Sequence, residues 1–234
     1  MHKIYIVTFF VFCLNLSLKA QSFWFGVKGG PALSFQRWDS FDPNPLLVVN
    51  GDFTLESYRE DSPSSLYAQL GYHTRGSSLR VFSQNTNLFE GNRGFKFHNL
   101  VLEIGAKRMV DLNSKFNPYY AIGIRGEYTI NTNLSDYERF MTPFYPNDAF
   151  VQKFLWGPSL NGGFEWRYEE LVTPYLEFAI QPDVSDQYFQ PPVNNVRSPF
   201  DPNQLINVRE RIIRNITLEL KVGIKFLRKV VYTD

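Results

Sequence analysis

The stretch from Asn215 to Phe226 constrains the fold more than any other. Ile216, Leu218, Leu220, Val222, Ile224 and Phe226 are apolar, while Thr217, Glu219, Lys221, Gly223 and Lys225 between them are polar or glycine. A period of two puts successive side chains on opposite faces of a strand. The segment therefore has one oily face and one ionised face, over a length that crosses a bilayer when tilted. In a soluble sheet the oily face would be core; in a membrane barrel it would meet lipid and the charges would fill the lumen.

The same alternation recurs upstream. Phe23, Phe25, Val27, Leu33 and Phe35 alternate with Lys28, Gly30 and Ser34; Phe53 and Leu55 with Asp52, Thr54 and Glu56; Leu66, Ala68, Leu70 and Tyr72 with Tyr67, Gln69, His73 and Arg75. Leu100, Leu102, Ile104 and Ala106 then face away from Glu103 and Lys107, and Tyr120, Ile122, Ile124 and Tyr128 from Arg125, Glu127 and Thr129. Two more segments set Phe154, Trp156, Leu160, Phe164 and Trp166 against Ser159, Asn161, Glu165 and Arg167, and Leu176, Phe178 and Ile180 against Glu177 and Gln181.

The connections alternate in length. Long polar segments, Gln36 to Pro45, Gly76 to Gly94, Asn131 to Lys153 and Asp183 to Arg211, are separated by short turns at Arg59 to Ser64, Asp111 to Lys115 and Tyr168 to Val172. An even strand count with this alternation predicts an all-β fold, an eight-stranded antiparallel up-and-down transmembrane β-barrel with short periplasmic turns and long extracellular loops. A β-sandwich would not impose so regular a pattern. A sheet in hydrocarbon must also close on itself, because each bare amide group there costs several kcal/mol, so the first and last strands are expected to pair.

Met1 to about Ala20 carries His2 and Lys3, the apolar run Ile4 to Leu18, and then Lys19-Ala20-Gln21. This reads as a secretory signal peptide over residues 1–20, leaving 21–234 as the barrel domain. The single cysteine, Cys13, lies inside the signal, so the mature chain is expected to have no disulfide and no thiolate metal site. Elsewhere no apolar run is long enough for a spanning helix. The aromatic share of 17% exceeds what a soluble core needs and suits the belts at both interfaces of a membrane barrel. Lys+Arg 24 against Asp+Glu 23 leaves no basic field for a nucleic-acid partner.

Parity assigns a lumen charge network of Lys28, Asp52, Glu56, Arg75, Glu103, Lys107, Arg125, Glu127, Glu165, Arg167, Glu177, Glu219, Lys221 and Lys225, seven acids and seven bases. Eight strands enclose only enough space for side chains, and unpaired charges there are costly. A mutually paired ionic plug is expected. Candidate loop contacts are the aromatics Tyr137, Phe140, Phe144, Tyr145, Tyr188, Phe189 and Phe200, interleaved with proline, which suit either recognition or packing over the barrel mouth.

Catalysis would need a nucleophile with a base in reach. His73 is assigned inward, near the outer rim beside Arg75, as candidate base for Ser77 or Ser78; His98 points outward, so the two histidines form no dyad. No ligand cluster has metal spacing, and Gly26 to Gly30 lacks the following helix of a phosphate loop. No enzyme activity, metal or cofactor is expected.

Gly26-Val27-Lys28-Gly29-Gly30, Gly71-Tyr72-His73 with Arg75-Gly76, Gly105-Ala106-Lys107, Pro118-Tyr119-Tyr120 with Gly123-Ile124-Arg125-Gly126, and Gly223-Ile224-Lys225-Phe226 occur in that order. Together they resemble the small outer membrane beta-barrel proteins (porin-family, PorT-like) of Gram-negative bacteria, across essentially the whole mature chain. The resemblance implies a single outer-membrane barrel, in a group with members linked to a secretion and gliding apparatus. It transfers no functional residue. Lys221, Gly223 and Phe226 also partly resemble the signal read by barrel-assembly machinery, although Leu227 to Asp234 runs beyond it. Expected partners are outer-membrane lipid, that machinery during biogenesis, and an envelope protein at the extracellular loops. The expected role is structural or surface-interacting, with a narrow porin or transport channel as the alternative and a lipid-directed barrel enzyme behind it.

Overall fold

A computed structural model of the chain describes residues 22–38, 43–60, 62–82, 89–110, 115–137, 146–166, 170–198, 201 and 203–230. In chain order the strands are β1 (Phe23–Trp38), β2 (Asn44–Ser57), β3 (Ser64–Phe82), β4 (Phe89–Met109), β5 (Phe116–Thr132), β6 (Phe154–Trp166), β7 (Val172–Pro182), β8 (Tyr188–Gln190), β9 (Val193–Arg197), β10 (Leu205–Val208) and β11 (Arg211–Arg228). Two single 3-10 turns, Leu134–Tyr137 and Asp148–Phe150, lie between β5 and β6. Each of β1 to β7 pairs antiparallel with its sequence neighbour, β7 pairs with β11, and β11 pairs with β1 from Phe23↔Arg228 to Trp38↔Ile213. The ring of eight strands is thus closed, as the edge argument requires.

Several expected loops are partly strand. β1 runs on to Trp38 and β2 starts at Asn44, so the first long connection is short. Most of Gly76 to Gly94 is a ladder, with Ser78 opposite Gly94 and Val81 opposite Gly91. In the last connection β8 takes over beside β11 where β7 ends, Ile213 opposite Tyr188, while β9 and β10 form a separate ribbon. The reason is common to all three: backbone bonds extend the ladders without the alternation of side chains that marks the spanning part.

The oily face points out. Val27, Leu102, Ile122, Ile124 and Val222 are all exposed, whereas Lys28, Glu103, Arg125 and Lys221 beside them are buried. On β1 the outward apolar band runs from Phe25 to Phe35, and on β11 from Ile216 to Phe226, eleven residues each, which is the length a tilted strand needs to cross hydrocarbon. Exposed basic residues bound it: Arg37, Lys96 and Arg214 at the loop end, Arg108 and Arg228 at the turn end. Long basic side chains at such positions reach into a headgroup layer.

Inside, glycines make room for aromatic side chains, as at Gly223 and Gly123. Gly223 faces Tyr175 across the β7–β11 ladder, and a Cβ on it would lie 2.5 Å from the ring. A Cβ on Gly123 would lie 2.5 Å from the Tyr67 hydroxyl. Both positions require the absence of a side chain for tyrosines to cross the lumen.

Candidate functional site

The interior is a stack of layers, each built from inward positions of several strands. At the turn end Glu56, Lys107, Glu165 and Lys225 alternate in a ring. Lys107 reaches Glu56 at 2.9 Å and also bonds Glu165; Lys225 reaches Glu165 at 2.7 Å and Glu56 at 3.1 Å. The Lys225 ammonium sits over Trp24 and that of Lys107 over Tyr119, geometry that adds cation–π attraction.

Above the ring, Lys28 pairs with Glu177, which also accepts from the Tyr119 hydroxyl at 3.0 Å. Glu103 accepts from Tyr67 at 2.6 Å and Asn161 at 3.0 Å. None of the ion pairs among the described residues includes Glu103; hydroxyl and amide donors replace the cation. Gln69, Lys28, Tyr67 and Tyr119 border a cavity of about 30 Å³, room for one or two waters and no solute.

The largest cluster is central. Lys221 bonds Asp52 at 2.6 Å and also pairs with Glu219; Arg75 joins Glu219 at 3.0 Å to Glu127 at 2.7 Å; Arg125 reaches Glu127 at 2.7 Å and pairs with Asp183. Amides add further hydrogen bonds: Asn50 donates to Glu219, Asn99 to Glu127 and Asn215 to Asp183, each at 2.6 Å, and Gln181 accepts from Arg75 at 2.7 Å. Removing such ions from water is repaid only where geometry and added hydrogen bonds are good, and here the acids are met on several sides.

His73 belongs to this cluster in mid-strand, not to the outer rim. Its Nε2 lies 2.7 Å from Asp52 and its Nδ1 3.0 Å from the Arg75 guanidinium. Arginine has no acceptor, so Nδ1 accepts and Nε2 carries the proton that it donates to Asp52. Ser77 donates to Gln36 at 2.7 Å and Ser78 to backbone carbonyls of Asn44 and Pro45. Neither serine meets His73, so the candidate base and nucleophile are not brought together. His98 is outside, half-buried and stacked on Tyr72.

Toward the loop end a neutral polar layer follows, in which Gln36 donates to Asn215 at 2.9 Å and Gln187 to Thr129 at 3.0 Å. The inner face then turns apolar: Trp38, Phe95, Phe97, Leu134, Tyr137, Tyr188 and Ile213 form a buried cluster with Leu79, Phe150 and Val151 against it. Phe95 packs on Tyr137 with centroids 4.7 Å apart, and Arg211 lies over Trp38. Burial pushes the Tyr137 and Tyr188 hydroxyls above the usual tyrosine range.

The inward charges predicted from parity are therefore brought together, except that Arg167 lies outside the described residues. Asp183 was not expected inside; it continues the parity of Gln181 one step past Pro182. Of the loop aromatics, Tyr137 and Tyr188 are buried in the mouth cluster and only Phe189 is exposed among the described residues. The reason is that β8 and the Leu134–Tyr137 turn fold over the mouth and need apolar filling. Phe140, Phe144, Tyr145 and Phe200 lie outside the described residues.

No family model and no curated protein matches the chain. Among solved structures the chain is similar to the crystal structure of Neisserial surface protein A (NspA), at 10% identity and a TM-score of 0.51, covering 87% of this chain and 96% of that one. The N-terminal β-barrel domain of Pseudomonas aeruginosa OprF aligns at 11% identity and a TM-score of 0.42, over 88% of this chain and 98% of that domain. At such identity the likeness to the former is one of fold, a small outer-membrane type of barrel.

Proposed function

We propose that the chain is an integral barrel of the bacterial outer membrane with a structural or surface-interaction role, exported by a cleaved signal and closed to solutes along its axis. The observation that carries this reading is the stack of buried ion pairs, in three groups from the ring of Glu56 and Lys225 through Lys28 and Glu177 to the central cluster that ends at Arg125 and Asp183, roofed by the Trp38–Phe97–Tyr188 cluster. Charges so arranged serve as a filled interior for a barrel of this strand number. The apolar bands on β1 and β11 and their basic borders support membrane insertion with the loop end outward.

Interaction then falls to the loop end, where Phe189, Leu205 and the β9–β10 ribbon stand exposed. The resemblance to PorT-like barrels supports an envelope-protein partner there. Recording from purified protein in a planar bilayer tests closure. The expected record is flat; a steady single-channel conductance would replace this reading with that of a narrow channel.

A further inference from the structure

We propose that the inner wall holds an ordered water between Gln69, Lys28 and Glu103, and that this water joins the Lys28–Glu177 pair to the carboxylate that no ion pair among the described residues includes. The inference stands on the interior alone and does not depend on what covers the outer face.

Gln69 and Glu103 are direct partners in the β3–β4 ladder, both inward, at 3% and 0% exposure. Glu103 Oε1 accepts from the Tyr67 hydroxyl at 2.6 Å and from the Asn161 amide at 3.0 Å. Its Oε2 meets no donor of the protein, and Gln69 Nε2 meets no acceptor. A buried donor and a buried acceptor left in this way are each costly, and such groups are commonly met by ordered water. Lys28 carries three N–H groups, and Glu177 accepts from its ammonium. Gln69, Lys28, Tyr67 and Asn161 border the same cavity of about 30 Å³, more than one water needs.

The mixture of groups selects the ligand. A cation here would face the Lys28 ammonium and the Gln69 N–H; an anion would face the Glu103 carboxylate. A water accepts from the first two and donates to the third, and three hydrogen bonds is the usual count for a buried water. The consequence is a joint in the ionic interior. Lys28 is on β1, Gln69 on β3 and Glu103 on β4, so one molecule ties three strands together between the turn-end ring and the central cluster.

The test is a crystal structure of the detergent-solubilised wild-type protein at a resolution that shows ordered solvent, with parallel crystals grown in rubidium bromide. The expected result is a density peak about 2.7–3.2 Å from both Gln69 Nε2 and Glu103 Oε2, without anomalous signal at the rubidium or the bromine edge. Gln69→Met keeps the length of the side chain and removes the donor, so the peak should be lost. The proposal is overturned if Gln69 and Glu103 bond each other directly, if rubidium or bromide occupies the position, or if the peak survives in Gln69→Met. Should that variant fail to fold, the wild-type density and its anomalous signal decide alone.

Discussion

Ile124 and Arg125 are consecutive residues of β5 and lie at opposite extremes, 67% and 0% exposed. The most ionised residue of the pair is the hidden one, an inversion that a water-soluble sheet would not tolerate. Ile124→Arg would put a charge on the lipid side at a cost of about 2–4 kcal/mol near the midplane, whereas Ile124→Leu should be nearly neutral. Heat-modifiable migration after refolding into vesicles should be lost in the first and kept in the second. Equal behaviour of the two would mean that this face does not meet acyl chains.

Glu127 is the hinge of the central cluster, in ion pairs with Arg75 and with Arg125 at 2.7 Å each. Glu127→Ala leaves two buried guanidinium groups with Glu219 and Asp183 as their remaining acids. Breaking a buried pair from one side costs about 3–5 kcal/mol, so urea unfolding in vesicles should shift strongly to lower denaturant. Replacing Arg75 with Met in the same chain should recover part of the loss, since it removes one of the stranded cations. A double variant weaker than Glu127→Ala would show that Arg75 stabilises the barrel through other contacts.

The banded part of the barrel was legible because an apolar outer face and a charged inner face force a strict period of two, as in Leu220-Lys221-Val222. The loop end was not, for a physical reason. Along β1 the inner face reads Ser34, Gln36, Trp38, and along β4 it reads Asn99, Phe97, Phe95 toward the mouth. Beyond the outer apolar bands the inside changes from polar to apolar, and the contrast that marks a strand fades. Asp183 was hidden by the proline before it, which looks like the end of a strand although the inward parity continues. Glu103 shows another limit: equal counts of acids and bases do not say that each acid meets a base, and this one is held by Tyr67 and Asn161.

Gly223→Ala tests the fit between glycine and ring inside the wall. The new methyl would lie 2.5 Å from Tyr175, so the ring must shift against Glu177 and its neighbours. Overpacking of this kind costs about 1–3 kcal/mol. Tyr175→Leu on the same chain should relieve the clash and bring urea unfolding back toward wild type; a double variant no better than Gly223→Ala would mean that the backbone, not the ring, resists the methyl.

The apolar roof should come apart separately from the ionic interior. Phe97 is fully buried and sits with Trp38, Phe95 and Tyr188 beyond the polar layer, so Phe97→Ala should cost about 3–5 kcal/mol of local packing. Hydrogen exchange at 134–137 and 146–151 should speed up, while the β7–β11 ladder around Lys221 stays protected. The pH response has a defined sign. Burial raises the Tyr188 hydroxyl above its ordinary value, so the opened roof ionises before the closed one as pH rises. The stability linked to this group is complete below about pH 10 and is lost above it, so exchange at the same segments should accelerate in alkali, and Tyr188→Phe should abolish that part of the acceleration. Uniform exchange through the barrel and roof in Phe97→Ala would show that the two interiors form a single cooperative unit.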